Sequence, residues 1–299
     1  MIFEPIQARR NDALQANPPS GDAHITTHAS NWLWAVFSVM LLSLLISVFW
    51  TALRRNRNRT FHQIPIIVLT VASIAYFSMA SDLGFVVIQS QRGPTRQIWY
   101  VRYIQWFINA PLLLLGLLAF TGMSTSDILT TMFFAWVLVI CGLVGALVSS
   151  TYKWGYYVFG LFALFYIWYR LHGHARRFPF RSGGNFRGGY RTGAGYLTFI
   201  WLLYPICWGL SEGSNTISPT SEMVFYGILD LLSGPVFLLL FIWRLSRFEY
   251  SSLGPTALGA AGRGEIDGGG SAPLGEKGAR PVSGTSGTGP SGGNGAGSV

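Results

Sequence analysis

The sequence predicts an all-α membrane protein built as a bundle of seven transmembrane helices. Half of the 299 residues are hydrophobic and only 11% are charged, whereas a soluble domain carries about 25%. The mean hydropathy is +0.38. Seven stretches of the chain come close to the roughly 20 apolar residues that one helical crossing of the hydrocarbon core requires, and most polar residues fall between them.

The elements follow in order. Residues 1–30 form a polar segment containing Asn11, Asp12, Pro18, Pro19 and His24, a layout unlike that of a cleaved signal peptide, and this segment is expected outside the cell. The membrane domain is expected over residues 31–247. Its spans read as Asn31 to Leu53, Ile64 to Ile88, Gln97 to Phe120, Ile128 to Leu147, Trp154 to Leu171, Gly195 to Ser211 and Ser221 to Trp243. Several contain Gly, Ser, Asn or a single carboxylate, as helices with one face against other helices do. Residues 248–299, dominated by Gly, Ser and Pro, hold too few apolar side chains to bury a core and are expected as a disordered cytoplasmic tail.

The arginines set the orientation. Arg54, Arg55, Arg57 and Arg59 join the first two spans, Arg170, Arg176, Arg177, Arg181, Arg187 and Arg191 lie between the fifth and sixth, and Arg244 and Arg247 follow the seventh. The opposite side carries chiefly Arg9, Arg10, Arg92, Arg96 and Lys153. Cytoplasmic loops carry the excess of cations, so the N-terminus is expected outside and the C-terminus inside, most naturally at the plasma membrane. The net charge of +9 then reflects contact with anionic lipid headgroups. The Gly-Arg run over residues 183–191 is read the same way, and nucleic acid is not an expected partner. Cys141 and Cys207 sit in apolar stretches without metal-ligand spacing, so no disulfide framework or metal site is expected.

Ionisable groups inside a membrane usually face the bundle interior. Here they are Asp82 in the second span, Arg102 in the third and Asp230 in the seventh, with Tyr103, Gln105 and Asn109 beside Arg102. Arg102 and Asp230 have opposite signs and are expected to pair, since an isolated buried charge is costly. Trp201, Tyr204 and Trp208 recur at spacings of three and four and share one helix face. With Trp106, Tyr156 and Tyr157 they suggest an apolar pocket beside the buried charges.

The run Arg102-Tyr103-Ile104-Gln105-Trp106-Phe107-Ile108-Asn109-Ala110-Pro111-Leu112-Leu113-Leu114-Leu115 resembles the third helix of the microbial rhodopsins, whose pattern is R-Y-x-D-W-x-x-T-x-P-L-L-L-L. Trp201 through Trp208 (WLLYPICW) is similar to their sixth helix, Gly142 through Leu147 to the fourth, and Glu222 through Phe237 (EMVFYGILDLLSGPVF) to the seventh helix of the fungal members. The likeness spans roughly Ala23 to Arg247. It implies a microbial rhodopsin-like seven-helix bundle with a retinal pocket, here vestigial or noncovalent, lined by Trp106, Leu138, Gly142, Leu164, Trp201, Tyr204, Trp208, Asp230 and Gly234.

Three departures from the family pattern bear on function. The family's Schiff-base lysine stands four residues after the seventh-helix aspartate, where this chain has Gly234, and the only lysines are Lys153 and Lys277. A Schiff base needs an amine to condense with the aldehyde, so no covalent chromophore is expected. Gln105 stands at the counterion and proton-acceptor position, and Gly116 at the cytoplasmic donor position of proton-pumping members. Losing the Schiff-base cation together with one carboxylate leaves Arg102 balanced against Asp230. Glu212 and Glu222 resemble the family's proton-release carboxylates and, without a pump upstream, are expected as ordinary outer-surface groups. Pro235 lacks an N–H to donate to the carbonyl one turn earlier, so the seventh helix is expected to be distorted beside Gly234.

The expected function is therefore a chromophore-free, opsin-related membrane protein acting through membrane or protein contacts, with a link to stress response implied by the family's lysine-free branch. The alternative is a photosensory protein that binds retinal or a carotenoid noncovalently, or that pairs with a pigmented rhodopsin. The lipid bilayer is the expected surrounding, and a homo-oligomer, or a hetero-oligomer with another rhodopsin, is the expected form of any assembly. No nucleophile motif, metal cluster or phosphate loop points to an enzyme.

Overall fold

The computed structural model describes residues 11–53, 60–89, 94–119, 121–174 and 184–240, leaving aside the side chains of 60–62, 174 and 184–187. The expected tail, the arginines of the first connection, Arg9, Arg10, Arg92, Arg176, Arg177, Arg181, Arg244 and Arg247, and the side chain of Arg187, lie outside what is described. The helices are α1 (Asp12–Ala16), α2 (Thr27–Leu53), α3 (Thr60–Ala80), α4 (Tyr100–Leu118), α5 (Thr125–Leu147), α6 (Lys153–Trp168), α7 (Gly184–Trp208) and α8 (Pro219–Leu231). Helices α6, α7 and α8 each continue into π-helical turns, Tyr169–His174, Gly209–Gly213 and Leu232–Val236. The seven helices α2 to α8 form one bundle, six of them long and apolar enough to cross a membrane, with α6 and its π turn completing the set.

Each helix buries one stripe. In α2 the buried positions Ala29, Leu33, Val36, Met40, Ser43 and Ser47 recur every three or four residues, which places them on one face. Leu42, Leu45 and Phe49 of α2, Phe133 of α5, and Phe159 and Phe162 of α6 are exposed on the outside, where lipid is as apolar as they are. Local sequence sets several ends. Ser124 accepts from the Asp127 N–H at 3.1 Å to cap α5, and Ser218 followed by Pro219 opens α8, accepting from the Ser221 N–H at 3.2 Å. Helix α2 approaches α8 closely because residue 227 is glycine: a Cβ there would lie 2.5 Å from Trp32 Nε1, whose N–H donates to the Met223 carbonyl at 3.1 Å.

Two expected helix bounds are corrected. The second helix stops at Ala80 rather than Ile88, because Asp82 (φ 53°) and Gly84 (φ 78°) take left-handed conformations that end it. The apolar run that follows is strand β1 (Val86–Gln89), paired antiparallel with β2 (Thr95–Ile98) in the register Val86 to Ile98, so Gln97 and Ile98 precede the third helix instead of starting it. The stretch rich in Val and Ile was the missed signal, since β-branched residues suit strands.

The described part of the polar N-terminal segment packs against β2 and the turn after α3. Ala23 bonds to β2 through Ala23 N–H to Thr95 O (2.8 Å) and Gln97 N–H to Ala23 O (3.1 Å). Asn17 Nδ2 donates to the Ser81 carbonyl at 2.9 Å, Ile25 is buried, and α2 begins at Thr27. Residues 11–30 thus belong to the packed body. The distortion expected beside Pro235 is present as the π turn Leu232–Val236.

Candidate functional site

Two polar sites lie inside the bundle. The first surrounds Asp230 on α8, which is 2% exposed. Its carboxylate accepts four hydrogen bonds: from Tyr204 Oη (2.6 Å), Tyr76 Oη (2.7 Å), Trp106 Nε1 (3.0 Å) and Gln105 Nε2 (3.1 Å). These donors come from α3, α4 and α7, so one carboxylate ties four helices together. Four donors fill the lone-pair positions of an ionised carboxylate.

The expected Arg102–Asp230 ion pair does not form. The Arg102 guanidinium instead lies 2.6 Å from Glu222 Oε1 and 3.7 Å from Glu212 Oε1, with its face 4.3 Å from the Tyr226 ring centre. Glu222 precedes Asp230 by eight residues, about 12 Å along a helix, and takes the arginine near the start of α8. Glu222 also accepts from Arg96 Nη2 at 2.7 Å. Arg96 donates further to Asn215 and to the Ile217 carbonyl, and Tyr103 Oη donates to Glu212.

These contacts define the second site, a buried group of two arginines and two glutamates. Glu212, Glu222, Arg96 and Arg102 are at most 6% exposed. That corrects the expectation that the glutamates are outer-surface groups and that Arg96 is a loop cation. Strand β2 is what brings Arg96 inward. Buried charges persist only when paired, and two of each sign balance.

The first site borders a cavity of about 120 Å³, where about 10–15 Å³ suffices for one water. Of the residues expected to form a pocket, Trp106, Leu138, Gly142, Trp201, Tyr204, Trp208, Asp230 and Gly234 line it together, with Gln105. Leu164 does not: it is fully buried elsewhere in the core, and Gly160 and Leu161, one turn earlier on α6, take the wall position. Tyr103, Met40, Tyr226 and Ser233 are lining residues that no sequence pattern singled out for this role, because facing a cavity depends on helix rotation.

Eight aromatic side chains contribute to the wall. Trp106 meets Tyr204 and Tyr226 edge-on at 5.1 and 5.0 Å, and Trp208 stacks on Tyr157 at 5.2 Å while donating to the Gly142 carbonyl at 3.1 Å. Small residues make room for them, since a Cβ at Gly145 would stand 3.0 Å from Trp208 Cζ2. Gly234 lies one turn beyond Asp230, and a Cβ there would meet only Met40 atoms, at 3.8 Å. Gly116 is buried on α4. Cys207 is buried and Cys141 partly so, both as free thiols, and among the described residues no His, Cys, Asp or Glu group could hold a metal.

A family model described as bacteriorhodopsin-like protein matches residues 27–246. The chain belongs to the microbial rhodopsin family. Within that family it is 58% identical to Protein FDD123 of Trametes versicolor over 246 residues, covering 82% of this chain and 87% of that one. It is 42% identical to the opsin-like protein carO of Fusarium fujikuroi over 83% of this chain and 85% of that one. With the 30 kDa heat shock protein of Saccharomyces cerevisiae it shares 36% identity over 74% of each chain. Among solved structures, the light-driven proton pump rhodopsin of Coccomyxa subellipsoidea superposes with a TM-score of 0.71 at 34% identity, covering 73% of this chain and 97% of that one.

Proposed function

We propose that this protein is a rhodopsin-family membrane protein that forms no retinal Schiff base, pumps no protons, and acts through contacts made in the membrane. The observation that carries the reading is Gly234 in the cavity wall one turn from Asp230. The chain's only other candidates for an imine are Lys153 and Lys277. Lys153 Nζ donates to the Glu212 carbonyl at 3.2 Å, at the outer end of the bundle, and Lys277 follows the last span by some thirty residues. The residues present therefore do not fit a covalently held aldehyde. Pumping is disfavoured by two residues of α4: Gln105 in the wall donates an amide hydrogen to Asp230 where an acceptor carboxylate would be needed, and Gly116, buried farther along the helix, offers no proton.

A role in stress response is supported by the name of the yeast heat shock relative. No enzymatic activity, cofactor or nucleic-acid partner enters this reading. The cation-rich connections support an extracellular N-terminus and a cytoplasmic C-terminus at the plasma membrane, which protease protection of tagged termini would test. The aromatic cavity favours one second reading, noncovalent binding of retinal or a carotenoid, alone or beside a pigmented rhodopsin.

One preparation separates these outcomes. Protein purified with all-trans retinal present is expected to show no visible absorption band, and its vesicles no light-driven pH change. A hydroxylamine-sensitive band or a light-driven pH change refutes the proposal. Retinal that quenches tryptophan fluorescence saturably without such a band supports the second reading, and linear quenching excludes it.

A further inference from the structure

The polar atoms left open in the cavity wall are mostly of one kind. Gln105 and Asn109 are 3% and 6% exposed, and their side-chain carbonyl oxygens, Oε1 and Oδ1, have no hydrogen-bond partner. Their orientations are set by the other end of each amide: Gln105 Nε2 donates to Asp230 at 3.1 Å and Asn109 Nδ2 to the Val68 carbonyl at 3.2 Å. Flipping either amide would set oxygen against oxygen. The unpaired atoms are thus acceptors, one helical turn apart on the same face of α4, and a buried unpaired acceptor costs free energy that a donor would recover. The remaining unpaired lining atom, the Tyr226 hydroxyl, can also accept.

The charge beside them is of one sign as well. Asp230 is held by four neutral donors, and among the described residues no cation pairs with it, because Arg102 and Arg96 are engaged by Glu222 and Glu212. A ligand suited to this wall brings a positive charge and several donors at one end and an apolar body at the other. An ammonium has one charge, three donors and no acceptor. An alcohol has a single donor and no charge, and a carboxylate would set like charge against Asp230.

We propose that the cavity binds, noncovalently, an apolar chain ending in a protonated primary amine, with the ammonium beside Asp230 and hydrogen-bonded to Gln105 Oε1 or Asn109 Oδ1. The inference rests on the reading that no amine of the protein itself occupies the space at Gly234. The apolar body would lie against Trp106, Trp201 and Trp208.

The test uses the full chain in nanodiscs of zwitterionic lipid, titrated with retinylamine and retinol, which share one polyene and differ in the head. Tryptophan fluorescence follows binding. Saturable quenching by retinylamine with a Kd at least about tenfold below that of retinol is expected, as a hydrogen bond to a charged group supplies. That preference should shrink in Asp230→Asn and, independently, in Gln105→Leu, with circular dichroism melts verifying folding. Equal affinity for the two heads, linear quenching by both, or a preference that survives both substitutions overturns the proposal. A visible band with retinal in the native chain would instead refute the reading it rests on, so the two failures are distinguishable.

Discussion

Replacing Glu222 by Gln removes one negative charge from a buried group of two arginines and two glutamates. Glu222 is fully buried and bridges both guanidiniums, 2.7 Å from Arg96 and 2.6 Å from Arg102. After the substitution only Glu212 remains to balance two positive charges, and its nearer oxygen stands 3.7 Å from Arg102. Breaking a buried pair by removing one partner costs about 3–5 kcal/mol, because the other charge stays desolvated. Glu222→Gln is therefore expected to lose stability in that range, read from denaturant unfolding in mixed micelles by tryptophan fluorescence. Charge balance makes a second, sharper demand. Adding Arg96→Met restores one arginine against one glutamate, so the double variant should be more stable than the sum of the two single losses by about 0.5–3 kcal/mol. A Glu222→Gln loss below about 1 kcal/mol, the size of a surface pair, or strict additivity in the cycle, would refute the view that these four groups act as one neutral unit.

Other expectations follow from the same geometry. Gly234→Lys, supplied with all-trans retinal, should yield a visible pigment that hydroxylamine bleaches, because a Cβ at that position meets only Met40 at 3.8 Å; absence of pigment in a folded variant would contradict the placement of Gly234 in the cavity wall. Gly145→Val should cost about 1–3 kcal/mol by overpacking, since even its Cβ would lie 3.0 Å from Trp208 Cζ2 and 3.4 Å from the Lys153 carbonyl, and an unchanged melting temperature would argue against that contact. Asp82, in the turn outside α3, has its carboxyl pushed above the usual carboxylate range by burial, against the pull of its hydrogen bond from Gln97 and of His24. A raised native value means that the folded state binds the proton more tightly, so stability from this group is lost as pH rises above the unfolded value and recovered as pH falls. Asp82→Asn keeps the left-handed backbone tolerable and should reduce the stability gained as pH falls toward the ordinary aspartate value of 3.8; an unaltered pH dependence in equilibrium unfolding would contradict it.

The sequence by itself determined the membrane class, the number of crossings and the inward face of the aromatic stripe, but not that Glu212, Glu222 and Arg96 are buried. Those properties depend on composition and on helical period: Trp201, Tyr204 and Trp208 share a face whatever lies opposite, and they do line the cavity. It also determined that Gly234 carries no amine. Which inward-facing charges meet was decided only by the tertiary structure. Arg102 had three carboxylates of equal sign within reach of its face of the bundle, and spacing along a chain fixes a residue's depth on its own helix but not the rotation and offset of its neighbours. Packing gave Arg102 to Glu222 and Glu212, left Asp230 to Tyr76, Trp106, Tyr204 and Gln105, and brought Arg96 in from a strand. That Gly160 rather than Leu164 lines the cavity has the same origin, since the rotation and offset of α6 against its neighbours decide which of its residues face inward. Helical periodicity is local, whereas the partner of a buried charge is a long-range choice made by the lowest-cost way to leave no charge unpaired.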